Sequence, residues 1–211
     1  MSAVLEIVHL DTSEAFRQDN SIIDTSLSYV AASPGALGVY YGTLEEDPNV
    51  AYIAVVWAKI EDHHALINDA EVYPKLTGEI AKLVTGPINI HHVNLQPVDA
   101  IATVLNAPVT AITHITELKP DAKPETVFEH LASLNTAAKS AGLAGFHAGT
   151  YGKVVENDEL RTITGWDAIN DHRASRERNA EVAAGTAKLG EFVAGYKTVH
   201  IQLKPYRKYE A

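Results

Sequence analysis

The 211-residue sequence contains no cysteine. That removes disulfides, thiolate nucleophiles and cysteine-based zinc sites, and it agrees with a reducing compartment, so a cytoplasmic protein is expected. No apolar run approaches the roughly 20 residues that a membrane-spanning helix needs. The opening residues Met1–Glu6 carry no basic stretch ahead of a long apolar one, so no secretory signal is expected. His-Glu-x-x-His, Gly-rich phosphate loops, Gly-x-Ser-x-Gly and the flavin and nicotinamide fingerprints are also missing, so neither metal nor cofactor is expected. Basic residues are scarce in one half only. Residues 1–105 hold 4 Lys and Arg against 14 Asp and Glu, whereas residues 106–211 hold 13 of each. A net charge of −10 argues against nucleic acid or an anionic membrane as partner.

What is present is a duplication. Val4-Leu5-Glu6-Ile7-Val8-His9-Leu10 lines up with Val109-Thr110-Ala111-Ile112-Thr113-His114-Ile115. Ser33-Pro34-Gly35-Ala36-Leu37-Gly38, followed by Gly42-Thr43, is set against Ser140-Ala141-Gly142-Leu143-Ala144-Gly145, followed by Gly149-Thr150. Trp57 and Trp166, the only tryptophans, each precede an Asp-His pair, Asp62-His63 or Asp171-His172. His92-Val93-Asn94-Leu95-Gln96-Pro97 then matches His200-Ile201-Gln202-Leu203-Lys204-Pro205. The domain division read from this repeat is 1–105 and 106–211.

Each copy reads β-α-β-β-α-β. β-branched first strands are followed by helices within 13–32 and from Pro124, where Val127, Leu131, Leu134 and Ala138 recur at helical spacing. Hairpins follow near 37–59 and 144–168. Asp62 and Asp171 are expected as N-caps of single helices over 63–84 and 172–193, and last strands are expected near 88–96 and 197–204. Such a unit is a ferredoxin-like split β-α-β, with both helices on one face of a four-stranded antiparallel sheet. Its other face is apolar and needs a cover. The fold class expected is therefore α+β: two ferredoxin-like repeats in one chain, their sheets packed as a barrel that needs no second chain, with homodimerisation through outer surfaces left open.

The first-strand histidine, the Pro-Gly turn, the tryptophan ending the third strand and the Asp-His opening of the second helix resemble the dimeric α+β barrel superfamily. The nearest resemblance is to antibiotic-biosynthesis-monooxygenase (ABM) domains, with stress-responsive A/B barrels next, and it spans nearly the whole chain as two fused copies. It implies one of several activities: cofactor-independent monooxygenases of aromatic polyketides, cyclases, decarboxylase-like enzymes, lyases, haem-handling proteins, or stress proteins with no reaction. An apolar small molecule is the partner it implies. Haem-binding members commonly carry the iron ligand on a helix, where this chain has histidines only at the very start.

The side chains must choose. Imidazole exchanges protons near neutral pH, and three histidines are duplicated: His9/His114, His63/His172 and His92/His200. A first-strand histidine facing the cleft between sheet and helices is the candidate general base, although the same position suits a half-buried histidine bonded to a neighbouring strand. His92 and His200 lie on the strand beside it. His63 and His172, at a helix start, fit a neutral hydrogen-bonded role. Trp57 and Trp166 suit packing under the following helix or stacking on a substrate. Tyr40 and Tyr41, set against His147 and Ala148 in the second copy, offer a hydroxyl to a developing enolate or phenolate oxygen. The candidate site is thus His9, Tyr40 or Tyr41, and His92 in the first copy, with His114 its counterpart and Trp57, His63, His147, Trp166, His172 and His200 as substrate-contacting candidates. The alternative reading is a non-catalytic ligand carrier in which these groups are structural.

Overall fold

A computed structural model describes residues 3–210; Met1 and Ser2 of the opening segment and Ala211 lie outside the described residues. The chain forms two compact units, residues 1–93 with 202–211 and residues 94–201. The boundary at 105/106 read from the repeat thus falls inside the second unit. Residues 202–210 belong to the first, because the strand Lys204–Arg207 pairs with the strand Ala36–Thr43 there.

The first unit contains β1 (Val4–Asp11), α1 (Glu14–Gln18), a 3₁₀ turn over Asn20–Ile23, α2 (Asp24–Ala32), β2 (Ala36–Thr43), β3 (Val50–Trp57), α3 (Ile60–Ile67), α4 (Tyr73–Ile80) and β4 (Asn89–Gln96, which begins here). Its sheet order is β4-β1-β3-β2, extended beyond β2 by the C-terminal strand β9 (Lys204–Arg207). The second unit contains α5 (Ala100–Leu105), β5 (Val109–Leu118), α6 (Pro124–Ser140), β6 (Phe146–Val154), β7 (Leu160–Trp166), three short helices α7 (Ile169–Arg173), α8 (Ser175–Arg178) and α9 (Ala180–Leu189), and β8 (Val193–Ile201), in the order β8-β5-β7-β6. The α+β class and the ferredoxin-like element order are those expected. No helix among the described residues is long and apolar enough to cross a membrane.

Alternation along the strands decides what each residue meets. In the first unit Val8, Leu10, Val39, Ile53, Val55 and Trp57 pack with Phe16, Leu27, Leu66 and Leu76 from the helices. Residues one step along, among them Leu5, Ile7 and His9, point to the opposite face. In the second unit the helix side holds Val109, Ala111 and Trp166 with Ala138 and Val182, and Ile115, Tyr151 and Leu160 with Val127 and Leu131.

Three local expectations change. The helices are broken: α1, the 3₁₀ turn and α2 replace one helix, and α3/α4 and α7/α8/α9 replace the two long ones. Asp62 and Asp171 are not N-caps. Lys59 and Ala168 occupy those positions without side-chain caps, and each aspartate sits in the first turn, where the helix dipole favours a carboxylate.

Each of these carboxylates lies against a glycine, and those glycines re-set the repeat. Gly35 (φ +83°) faces Asp62, and a Cβ there would fall 2.2 Å from its Oδ2; Gly145 (φ +73°) faces Asp171, with 2.5 Å. The amides of Ala58 and Asp167, each just after a tryptophan, donate to the carbonyls of Gly35 and Gly145 at 2.8 Å. Gly35 therefore corresponds to Gly145, not Gly142. Tyr41, opposite Ile53, then matches Tyr151, opposite Thr162, and Tyr40 matches Thr150. The expected contrast of Tyr40/Tyr41 with His147/Ala148 was a three-residue slip between two similar small-residue runs.

Candidate functional site

The expected convergence of His9, a second-strand tyrosine and His92 does not occur, for reasons of strand parity. His9 lies on the face away from the helices and stacks on Tyr52, its cross-strand partner, with ring centroids 5.7 Å apart. Tyr40 shares that face; it is fully buried, and its hydroxyl accepts the Tyr209 amide at 2.7 Å. Tyr41 points to the helix side and lines a small cleft. His92 also faces the helices, but at the Trp57 end of the sheet. Trp57 and the Ile53 row beside Tyr41 are four residues apart, about 13 Å along an extended strand.

At the Trp57 end the structure assembles a cluster from four elements, β1, β3, α3 and β4. The Trp57 indole Nε1 donates to Glu6 Oε2 of β1 at 2.6 Å. His63, at the start of α3, lies flat on the Trp57 ring, with centroids 5.2 Å apart and planes 15° apart. Its Nδ1 shares a hydrogen bond with Nε2 of His92 on β4 at 2.7 Å and lies 3.5 Å from Glu6 Oε2. Glu6, His63 and His92 are all buried. A buried carboxylate is costly unless hydrogen bonds or a partner charge meet it; here the indole N–H and the His63 ring do. One imidazole must donate to the other, so the pair can pass a proton between two rings without moving either. His64, exposed on the next position of α3, approaches His92 edge-on at 6.4 Å.

Ligand atoms of Glu6, His63 and His92 lie within 4.8 Å of one another, which raises the question of a metal. Two nitrogens bound to one tetrahedral zinc at about 2.05 Å stand roughly 3.3 Å apart. The observed 2.7 Å is hydrogen-bond spacing, and the second unit keeps a like spacing of 2.8 Å where Ala111 stands in place of Glu6. The geometry is that of a hydrogen-bonded pair.

That second copy is Trp166, His172 and His200. His172 Nδ1 meets His200 Nε2 at 2.8 Å, and the Trp166 and His172 rings are 4.9 Å apart. The position of Glu6 is taken by Ala111, the cross-strand partner of His200. The indole turns instead to Thr164 Oγ1 at 2.7 Å, a position where the first unit has Val55. His147 is elsewhere, in an exposed pair with Asp167 at 2.7 Å. His114 lies on the face away from the helices, opposite Arg161. Arg161 is buried, its Nη2 2.6 Å from Glu159 and its Nε without a hydrogen-bond partner.

Sequence reasoning found both tryptophans and all four paired histidines, but missed Glu6, Thr164 and Tyr151. Glu6 did carry a signal: it is a charged residue on an otherwise apolar strand, two positions from Val8 and so on the same face. Burial raises the pKa of Tyr41, with Asp24 adding to the effect, and burial alone raises that of Tyr151. Both hydroxyls therefore remain donors beyond the range of a free tyrosine.

No family model and no curated protein matches the chain. Solved structures do. A "putative monooxygenase" of Fusobacterium nucleatum is 16% identical with a TM-score of 0.68, over 100% of this chain and 96% of that one. Another, from Lactobacillus acidophilus, is 13% identical with a TM-score of 0.68, over 99% and 97%. An anthrone oxidase-like protein is 16% identical with a TM-score of 0.69, over 99% and 94%. This chain has their fold. At such identities the likeness extends to architecture, and chemistry must be argued from the cluster itself.

Proposed function

We propose that the chain is an enzyme of the monooxygenase type that acts on an aromatic or polyketide-like apolar molecule without an organic cofactor, with the His63–His92 pair as its proton-transfer group. The observation that carries this reading is the buried, hydrogen-bonded imidazole pair held against Glu6. It is supported by the fold shared with two structures each described as a "putative monooxygenase" and one as anthrone oxidase-like. An anthrone-type methylene flanked by aromatic rings and a vinylogous carbonyl is acidic enough for imidazole to deprotonate. The carbanion then reduces dioxygen and forms a C–O bond; loss of hydroxide leaves a ketone, and the abstracted proton converts hydroxide to water. The sum is one methylene and one O2 giving one carbonyl and one water.

The test is oxygen uptake and quinone absorbance with anthrone as probe. One O2 consumed per anthraquinone formed is expected. His92→Ala should lower the rate by about 100- to 10,000-fold with the fold retained by circular dichroism, and His200→Ala should do so far less. Absence of turnover above buffer, or an unchanged rate in His92→Ala, would overturn the reading.

A further inference from the structure

The cleft beside Tyr41 stands apart from the histidine cluster and points to a ligand of its own. It has a volume of about 170 Å³ and is lined by Phe16, Asn20, Tyr41, Thr43, Glu45 and the C-terminal residues Gln202 and Lys204. The second unit shows what belongs against this tyrosine. There Phe128 stacks on Tyr151, with centroids 5.4 Å apart and planes 28° apart, and both rings join the core. Tyr41, the equivalent residue, has no ring stacked on it and its hydroxyl has no hydrogen-bond partner among the described residues. One copy supplies its own aromatic ring; the other leaves a cleft.

The size of the cleft limits the visitor. A cavity of about 150 Å³ holds benzene, whereas drug-sized ligands occupy roughly 300 Å³ or more. The remaining lining sets the polarity. Lys204 and Glu45, both exposed, line the cleft, and neither side chain has an ion-pair or hydrogen-bond partner among the described residues. Asp24 acts on Tyr41 with further negative charge. A free cation and a free anion in one cleft suit a group that offers a carbonyl to the first and an N–H to the second. With Glu45 and Asp24 both present, a carboxylate ligand fits less well than an uncharged amide.

We infer that this cleft is a binding site for a single-ring aromatic molecule carrying a carboxamide-type group, with the ring stacked on Tyr41 as Phe128 is on Tyr151 and the amide spanning Lys204 and Glu45. The site depends on β9, because Gln202 and Lys204 come from the C-terminal segment. It is independent of the proposed reaction: binding is read without turnover.

The test uses calorimetry and ligand-observed NMR on the full chain with 4-hydroxybenzamide, 4-hydroxybenzoate, tyramine and cyclohexanecarboxamide. 4-Hydroxybenzamide is expected to bind saturably at one site per chain, with the saturated-ring amide and both charged analogues several-fold weaker. Thr43→Trp, which fills the cleft from its exposed rim, should abolish binding. Lys204→Met should weaken it by about tenfold, and Tyr151→Phe should leave it unchanged. No saturable binding, equal binding of all four probes, or binding that survives Thr43→Trp in a folded protein would overturn the inference. Loss of anthrone turnover alone would not, and turnover with no binding of these probes would overturn this inference while leaving the reaction standing.

Discussion

Both units keep an indole packed against an imidazole that is hydrogen-bonded to a second imidazole. In the first unit a carboxylate stands behind that cluster; in the second, a hydroxyl. Glu6 accepts the Trp57 N–H and lies beside His63, whereas Thr164 accepts the Trp166 N–H. A structural role for the indole is met equally well by either acceptor, so the need to fix a ring does not explain the carboxylate. What Glu6 adds is a carboxyl group within 3.5 Å of a buried imidazole pair, and that difference separates the two clusters.

Substitutions at matched positions can break or sharpen the contrast. Trp57→Ala should show the largest loss of stability, about 3–5 kcal/mol by chemical denaturation, because it empties a fully buried site and strips Glu6 of its donor. Trp166→Ala should fall at the low end of that range, since the Thr164 hydroxyl can turn to another acceptor; equal losses would mean that Glu6 is satisfied without the indole. Gly35→Ala and Gly145→Ala should each cost about 1–3 kcal/mol, and by similar amounts, because both glycines combine positive φ with an aspartate pressed on the Cα. A cost confined to one of them would undo the re-set alignment. Thr164→Val, which copies Val55, should cost about 1–2 kcal/mol by leaving the Trp166 N–H unpaired. The smallest effect is spectroscopic. Tyr41 and Tyr151 should ionise above a free tyrosine in absorbance titrations. Because folding raises their pKa, the stability each lends is complete below the unfolded value near 10 and is lost as pH climbs through the folded value.

The architecture was legible because its markers are rare residues: two tryptophans and paired histidines recur at matching places in both units and cannot be confused with neighbours. The turn before β2 was misread because Gly-Ala-Leu-Gly and Gly-Leu-Ala-Gly resemble one another at more than one offset, and only strand register separates them. The site was less legible. His9 and His92 lie on adjacent strands, yet which sheet face each takes depends on parity within its own strand, which spacing along the chain does not reveal. Glu6 was in plain view within the first matched segment, but its partners lie 51 and 57 positions away. The single long second helices failed for a related reason: Pro74 and Asn179 start new helices inside stretches whose composition is helical throughout.

The strand β9 has a consequence for how the molecule comes into being. The edge of β2 is completed by residues 204–207, and the buried Tyr40 hydroxyl by the amide of Tyr209, 169 positions later in the sequence. At roughly 5–20 residues per second during synthesis, that amide emerges on the order of ten seconds or more after Tyr40. Until then β2 has an open edge and Tyr40 lacks its donor, while the whole second unit has time to form first. The first unit is thus finished only after the second has been made, and the cleft that β9 borders exists only once Gln202 and Lys204 are in place.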